Sequence, residues 1–163
     1  MTLKAVSSAG WLKDINDNFA DMGPVGSVNG LGNLRVARFE FDCAVVGNRT
    51  IAAHGTGVTI PIHGIVVGGF VDVNTLFTSD ATNAGTIAIH VQAANDVISA
   101  AAVSGAPYSS IGRKAITPKA NTPESTSLKA TAAREITCTV AVEPLLTGKL
   151  TGYLYYVEGV ASA

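Results

Sequence analysis

The three histidines are the side chains in this sequence best suited to metal binding or proton transfer, because imidazole serves both roles near neutral pH. They are His54, His63 and His90. His54 and His63 flank a short predicted strand at Gly57, so one interpretation is a two-histidine site across that turn. None of the three has metal-motif spacing to a cysteine or to another histidine. We therefore expect surface histidines, no metal site and no cofactor.

Motifs for nucleophilic catalysis and phosphate binding are missing from the sequence. There is no Gly-x-Ser-x-Gly elbow, and Gly30-Leu31-Gly32 lacks the third glycine, the preceding strand and the following helix of a phosphate loop. Residues 14–18 resemble a calcium loop, but Phe19 stands where glycine is needed. We predict no catalytic residue and no enzyme activity. The alternative is a jelly-roll trimer that hydrolyses nucleotides at sites between subunits.

The composition indicates either a surface that a partner covers or an ordinary soluble domain with few charges. Of 163 residues, 47% are hydrophobic and only 14% are charged, and the net charge is −1. The basic residues are scattered, which argues against nucleic acid as a partner. No apolar run reaches membrane-spanning length, and the N-terminus lacks the apolar stretch of a signal peptide, so we expect no membrane association. A surface with so few charges is tolerable where another protein covers it.

Residues 1–33 differ in pattern from the rest and form a predicted helix followed by a Gly-rich arm over 23–33. Apolar residues recur at helical spacing and draw one stripe along the helix. Its members are Trp11, Leu12, Ile15, Phe19 and Met22. Because so short a helix is marginal alone in water, the stripe must pack on something. It is the candidate anchor, either on the protein's own body or on a neighbour.

From Leu34 onward the apolar period changes to two, which is typical of half-buried strands. The predicted strands cover 34–44, 50–53, 57–60, 64–75, 85–92, 126–130, 135–142 and 147–157. We expect the strand at 64–75 to be covered on both faces, with a bulge or a close backbone approach at its paired glycines, Gly68 and Gly69. Residues 93–103 favour a helical turn slightly over a strand, and residues 105–123 have no period and indicate a long loop.

The alternation also assigns inward and outward residues within these strands. Inward positions include Phe39, Phe41, Ile87, Ile89, Val140 and Val142, while Tyr153 and Tyr155 lie on the side opposite Leu150 and Leu154. Cys43 and Cys138 are expected to be buried thiols.

Together these patterns predict an all-β fold, namely a β-sandwich or jelly roll of about seven to eight strands with a short N-terminal helix and Gly-rich arm. The predicted domains are 1–33, the helix and arm, and 34–163, the β-sandwich body.

Four segments of the body resemble a known class of protein in residue pattern and in order along the chain: "NLRVARFEFDCAV", "GTGVTIPIHGIVVGGFVDV", "TIAIHVQAANDVISA" and "SLKATAAREITCTVAVEPLLTGKLTGYLYYVEG". Over roughly residues 34–157 the chain resembles capsid decoration, or cement, proteins of tailed bacteriophages. The resemblance implies a homotrimer on the capsid exterior of the virion, with the major capsid protein as partner and a role in stapling capsomers. Under this interpretation the stripe at Trp11 is the anchor.

A second interpretation is a phage tail or host-recognition module built from a β-sandwich trimer. In that case the predicted loop at 105–123 contacts the receptor, and Tyr108 and Arg113 are the candidate contact residues.

Overall fold

The computed structural model describes residues 34–119 and 127–159, which form nine strands. The strands are β1 (Leu34–Asp42), β2 (Ala53–Ile60), β3 (Gly64–Ser79), β4 (Thr86–His90), β5 (Ile98–Ala102), β6 (Gly112–Ile116), β7 (Leu128–Lys129), β8 (Arg134–Ala141) and β9 (Leu145–Glu158). A single 3-10 turn, Val46–Arg49, lies between β1 and β2. The helix and arm predicted for 1–33 lie outside the described residues.

The strands form two antiparallel sheets. Sheet A has the order β1-β9-β3-β6, with the short β7 also paired to β3, and sheet B has the order β2-β8-β4-β5. Inward residues of both sheets form one apolar core, in which Phe39, Leu154, Ile87 and Ile136 are buried. Burial of such side chains stabilises the fold by about 1.5–3 kcal/mol each. The predicted all-β class is confirmed.

The alternation predicted most of the inward residues correctly. Phe39 and Phe41 on β1, and Ile87 and Ile89 on β4, are all buried. The bulge or close approach predicted at the paired glycines is also confirmed, because the β3–β9 register shifts between Val66 and Gly68, immediately before the pair. At Gly69 a Cβ atom would overlap the carbonyl oxygen of Tyr153, so no larger residue fits there.

Val142 was predicted to continue the buried side of β8, and this is wrong. β8 ends at Ala141, and Val142 lies in the turn to β9 with φ 73° and 65% of its surface exposed. The turn reverses the chain within a few residues, so the alternation of inward and outward side chains ends before Val142, although the apolar residues continue to it in sequence. Residues 50–53 also differ from prediction, since β2 begins only at Ala53 and runs unbroken to Ile60.

The helical turn favoured for 93–103 is wrong. Ile98–Ala102 form β5, which pairs with β4, and the residues before it form a turn around Asp96. The carboxylate of Asp96 accepts backbone N–H groups of Val91, Gln92 and Ala93 at 2.9, 2.8 and 2.7 Å. Pairing to a neighbouring strand therefore overrides the weak helix preference of the alanines.

The long loop predicted for 105–123 is wrong in its middle part. Gly112–Ile116 form β6, an edge strand paired with β3. Lys114 is the cross-strand partner of the buried Val71, and its ammonium group bonds the carbonyl oxygens of Ile111 and Gly112. A lysine on the inward side of an edge strand hides the period on which the sequence prediction depended.

The strand register brings four connections to the same end of the body, which we call the loop end. These are 43–52, 80–85, 103–111 and 142–144. Leu34 and the C-terminal end of β9 lie at the opposite end, since Leu34 pairs with Val157.

Glu143 ties two of the connections at the loop end together. Its carboxylate accepts hydrogen bonds from the hydroxyl groups of Ser79 and Thr82 and from the backbone N–H groups of Thr82 and Ala84. These donors, the Thr82 hydroxyl foremost, lower the pKa of Glu143 from its ordinary value of 4.5.

We expect Glu143→Gln to lower stability at neutral pH, because a neutral amide replaces one acceptor oxygen with a donor. A carboxyl whose pKa is lower in the folded state stabilises the fold above its ordinary pKa, and this contribution disappears as the pH falls through the folded pKa. Denaturant midpoints of the two proteins should therefore converge in acid. The matched control is Glu158→Gln at the exposed ion pair with Arg35 (2.8 Å), where the change should be small throughout. A constant gap between wild type and Glu143→Gln down to about pH 3 would contradict this account.

Within the part of the chain that the structure describes, no helix is long and apolar enough to cross a membrane.

Candidate functional site

The histidines do not form a common site. His54 lies at the start of β2, and the centroid of its ring is 6.0 Å from that of Phe41. Its Nε2 is 2.9 Å from the carbonyl oxygen of Thr50. His63 lies in the turn after β2, with φ 64°, and His90 ends β4. His54 and His63 are therefore at opposite ends of β2. Among residues 34–119 and 127–159, no three His, Cys, Asp or Glu side chains are grouped for metal binding.

The cysteines are both free and buried, as predicted. Burial raises the pKa of Cys43 to about 11 and that of Cys138 to about 12. Because the thiolate is the reactive form, both groups are poorly suited to nucleophilic chemistry at neutral pH.

The outer face of sheet A is the most distinctive surface of the body. One row of residues crosses all four strands: Arg38 on β1, Tyr153 on β9, Phe70 on β3 and Ala115 on β6. Residues directly opposite each other on neighbouring strands share a face, so these side chains point away from the core.

Aromatic rings form the centre of this face. Phe70 stacks on Tyr153, with ring centroids 4.7 Å apart, and meets the edge of Tyr155 at 6.2 Å. Beside them Val36 is 53% exposed. The guanidinium carbon of Arg113 lies 5.3 Å from the centre of the Phe70 ring, which is a cation–π distance. We call Val36, Arg38, Phe70, Arg113, Tyr153 and Tyr155 the aromatic–arginine face.

The electrostatics of sheet A divide this outer side into two parts. Lys149 bonds Glu40 at 2.9 Å and Asp42 at 3.0 Å, so the charges near the loop end are paired with one another. The Glu40 and Asp42 carboxylates raise the pKa of Lys149. The N–H of Ala44, together with Lys149, lowers the pKa of Asp42.

The cations of the aromatic–arginine face are held less closely than Lys149, although Asp72 lies directly opposite Arg113 on β3. Arg38 approaches Glu40 only to 3.9 Å, and Arg113 makes no ion pair within the described parts of the chain. The face therefore combines stacked rings with cations that a partner carboxylate can reach. Arginine and tyrosine in such a setting are the residues that most often dominate protein interfaces.

Sequence reasoning found part of this face. The alternation along β9 placed Tyr153 and Tyr155 outward, as the structure has them. Phe70 was missed because the apolar, Gly-rich run around it was predicted to be covered on both faces. Its outer side is half-exposed, and Val67 there is exposed.

The two predicted loop-contact residues, Tyr108 and Arg113, lie in different environments. Tyr108 is fully buried, its hydroxyl donates to the carbonyl oxygen of Ile87 at 3.1 Å, and its ring meets Phe77 edge-on at 5.7 Å. Burial raises its pKa. Tyr108 is therefore part of the core and cannot serve as an exposed receptor contact, whereas Arg113 is accessible on β6. The predicted anchor residues Trp11, Leu12, Ile15, Phe19 and Met22 lie outside the described residues.

No protein-family model matches the sequence, and no curated protein is similar to it in sequence. Solved structures are similar in fold.

A chain of the cyanophage Pam1 capsid asymmetric unit is 16% identical with a TM-score of 0.56, covering 95% of this chain and 99% of that one. A chain of the acid-stable capsid structure of Helicobacter pylori bacteriophage KHP30 is 13% identical with a TM-score of 0.52, covering 76% and 86%. A chain of the capsid of Ralstonia phage GP4 is 15% identical with a TM-score of 0.50, covering 86% and 94%. At these identities the likeness establishes a shared fold with chains found in phage capsid structures.

Proposed function

We propose that this protein is a non-enzymatic structural component of a bacteriophage virion, a decoration or cement protein on the capsid exterior that bridges neighbouring capsomers. The observation that carries the proposal is the likeness in fold to the Pam1 capsid chain over nearly the full length of both chains. Because the match covers 95% of this chain and 99% of the other, the likeness is not confined to one segment of the fold.

We also propose a jelly-roll fold for the body, and the strand order supports it. The first four strands pair with later strands in reverse order: β1 with β9, β2 with β8, β3 with β6, and β4 with β5. A long antiparallel hairpin rolled into two four-stranded sheets has this pairing scheme, and it is the scheme of a jelly roll. The short β7 is an addition beside β3.

The aromatic–arginine face supports the choice of a protein partner. Its rings offer apolar contact area, and Arg38 and Arg113 offer charge-assisted bonds to carboxylates. A capsid-protein surface with exposed acidic and apolar groups fits this chemistry. The face is too poor in cations for a phosphate backbone, which requires clustered lysines and arginines.

The N-terminal stripe is proposed as a second attachment to the capsid, with Trp11 as its principal aromatic residue. Two linked attachments bind more tightly than either alone, because the second is made at a high effective concentration. In the proposed homotrimer, each attachment is present in three copies. This is how modest single contacts would together staple capsomers.

Binding of the full-length protein to purified capsids tests the proposed function. We expect Arg113→Ala to weaken binding by about fivefold or more, since truncation of an arginine that carries interface energy costs more than about 1 kcal/mol. Arg113→Lys should recover only part of the affinity, because an ammonium group keeps the charge but loses the planar stacking on Phe70. Sedimentation of labelled protein with capsids provides the measurement, and Trp11→Ala in the same assay tests the N-terminal anchor.

The matched control is Arg134→Ala, which removes the same charge from sheet B and should bind like the wild type. Equal affinity of all three arginine variants would reject the face as the capsid contact. Quantitative mass spectrometry of virions separates the tail alternative. A decoration protein is expected on the order of hundreds of copies per particle by capsid symmetry, and a handful of copies would identify a tail module.

A further inference from the structure

The loop end carries an unusual share of the exposed apolar surface. Eleven large hydrophobic side chains are exposed in the described residues, and seven of them lie at this end. They are Val45, Val46, Ile51, Leu76, Ile111, Val142 and Leu146, and we call them the apolar loop cluster. Val46 is the most exposed, at 72%. Single exposed hydrophobics are ordinary, but their concentration at one end of a domain is typical of an interaction surface.

Val142 gives an independent reason to assign this end a function. Its φ of 73° is unfavourable for a β-branched residue, and asparagine or glycine would adopt it at lower cost. The same side chain is also largely exposed. A residue that is strained and exposes apolar surface does not stabilise the isolated fold. Backbone strain of this kind is concentrated at functional positions.

The charges at the loop end indicate what covers it. The four connections contain only three charged residues, Arg49, Asp80 and Glu143. Each has a partner within the chain: Arg49 Nε donates to the carbonyl oxygen of Cys43 at 2.6 Å, Asp80 accepts from the N–H of Ala81 at 2.9 Å, and Glu143 is bonded as described above. The flanking Asp42 and Lys149 bond each other.

We infer that the loop end is the surface through which copies of this chain associate with one another. This end exposes seven large apolar side chains, and its four connections hold only three charged residues, each hydrogen-bonded within the chain, so two identical copies can meet there with few like charges opposed. The aromatic–arginine face differs, because a second copy of it would bring arginine against arginine. This inference rests on the homo-oligomer in the proposed function and names the surface that forms it.

Self-association of the full-length protein, measured by sedimentation velocity over a range of concentrations, tests the inference without any capsid. We expect the wild type to form an oligomer and Val46→Asp to raise its dissociation constant about tenfold or more, because a carboxylate would be buried in an apolar contact. The matched control is Val36→Asp on the aromatic–arginine face, which should associate like the wild type.

A second variant separates an effect on association from an effect on folding stability. Val142→Asn relieves the backbone strain, so the denaturant midpoint at concentrations where the protein is monomeric should equal or exceed that of the wild type. Its oligomer should nevertheless be weaker, since the apolar side chain is lost. If Val142 served only the monomer, a substitution that raised the stability of the monomer would not be expected to weaken association.

Three outcomes overturn the inference. These are a wild type that is monomeric throughout, an oligomer unaffected by both loop-end variants, and loop-end variants that lose capsid binding but keep the oligomer. The last result would assign the loop end to the capsid protein instead. Failure of capsid binding with an intact loop-end oligomer would reject the proposed function alone.

Discussion

Replacement of Asp96 by alanine is expected to lower the free energy of unfolding by about 3–5 kcal/mol, since three backbone donors lose a charged acceptor at once. Asp96 is 4% exposed, and its two oxygens satisfy the N–H groups of Val91, Gln92 and Ala93. Its own carbonyl oxygen accepts the N–H of Lys119 at 2.9 Å, so the turn also holds the segment that follows β6.

Two further variants make this result interpretable. Asp96→Asn keeps one acceptor oxygen but turns a donor toward N–H groups, so we expect roughly half the loss. Asp80→Ala removes an exposed carboxylate that accepts one neighbouring N–H, and should cost less than about 1 kcal/mol. Urea unfolding at one fixed protein concentration gives all three values. If Asp96→Ala and Asp80→Ala cost the same, the turn is not held by the buried carboxylate.

Gly148→Ala is expected to destabilise the fold by about 3–5 kcal/mol, from two separate causes that act together. Gly148 has φ 134°, a conformation that alanine adopts only with strain. A Cβ atom there would also overlap the ring of Phe77. That ring stacks on Phe41 at 6.2 Å and contacts Tyr108, so its displacement disturbs three aromatic side chains of the core.

Gly47→Ala is the matched control for this substitution. A Cβ atom on Gly47 meets no atom within 4 Å, so its change in stability should lie within about 0.5 kcal/mol. Thermal unfolding followed by near-ultraviolet circular dichroism reports both stability and the packing of the aromatic rings. A Gly148→Ala protein with wild-type stability and spectrum would show that Phe77 moves aside without cost.

The fold class followed from sequence because each sheet has one inward face, and a period of two identifies its residues. Phe39, Phe41, Ile87 and Ile89 were found for this reason. β6 was missed because Lys114 interrupts the apolar pattern, and β5 because its alanines have no strong preference for either structure. Val142 was misplaced since nothing local distinguishes the end of a strand from its continuation.

The candidate site was less accessible to sequence reasoning. Tyr153 and Tyr155 were placed outward, but their meeting with Phe70 and Arg113 depends on the pairing of β9 with β3 and of β3 with β6. These contacts join residues more than 40 positions apart, and the register that creates them is set by bulges and cross-strand packing. Tyr108 was assigned to an exposed loop because its partners, Ile87 and Phe77, come from other strands.

The position of β9 between β1 and β3 has a consequence for synthesis on the ribosome. Sheet A cannot close until residues 145–158 have emerged, because among the nine described strands β9 alone joins β1 to the rest of that sheet. Until then the nascent chain displays unpaired strand edges, which are prone to wrong pairing. The fold therefore depends on synthesis of residues 145–158, and a product truncated before them would lack Tyr153 and Tyr155, the two tyrosines of the aromatic–arginine face.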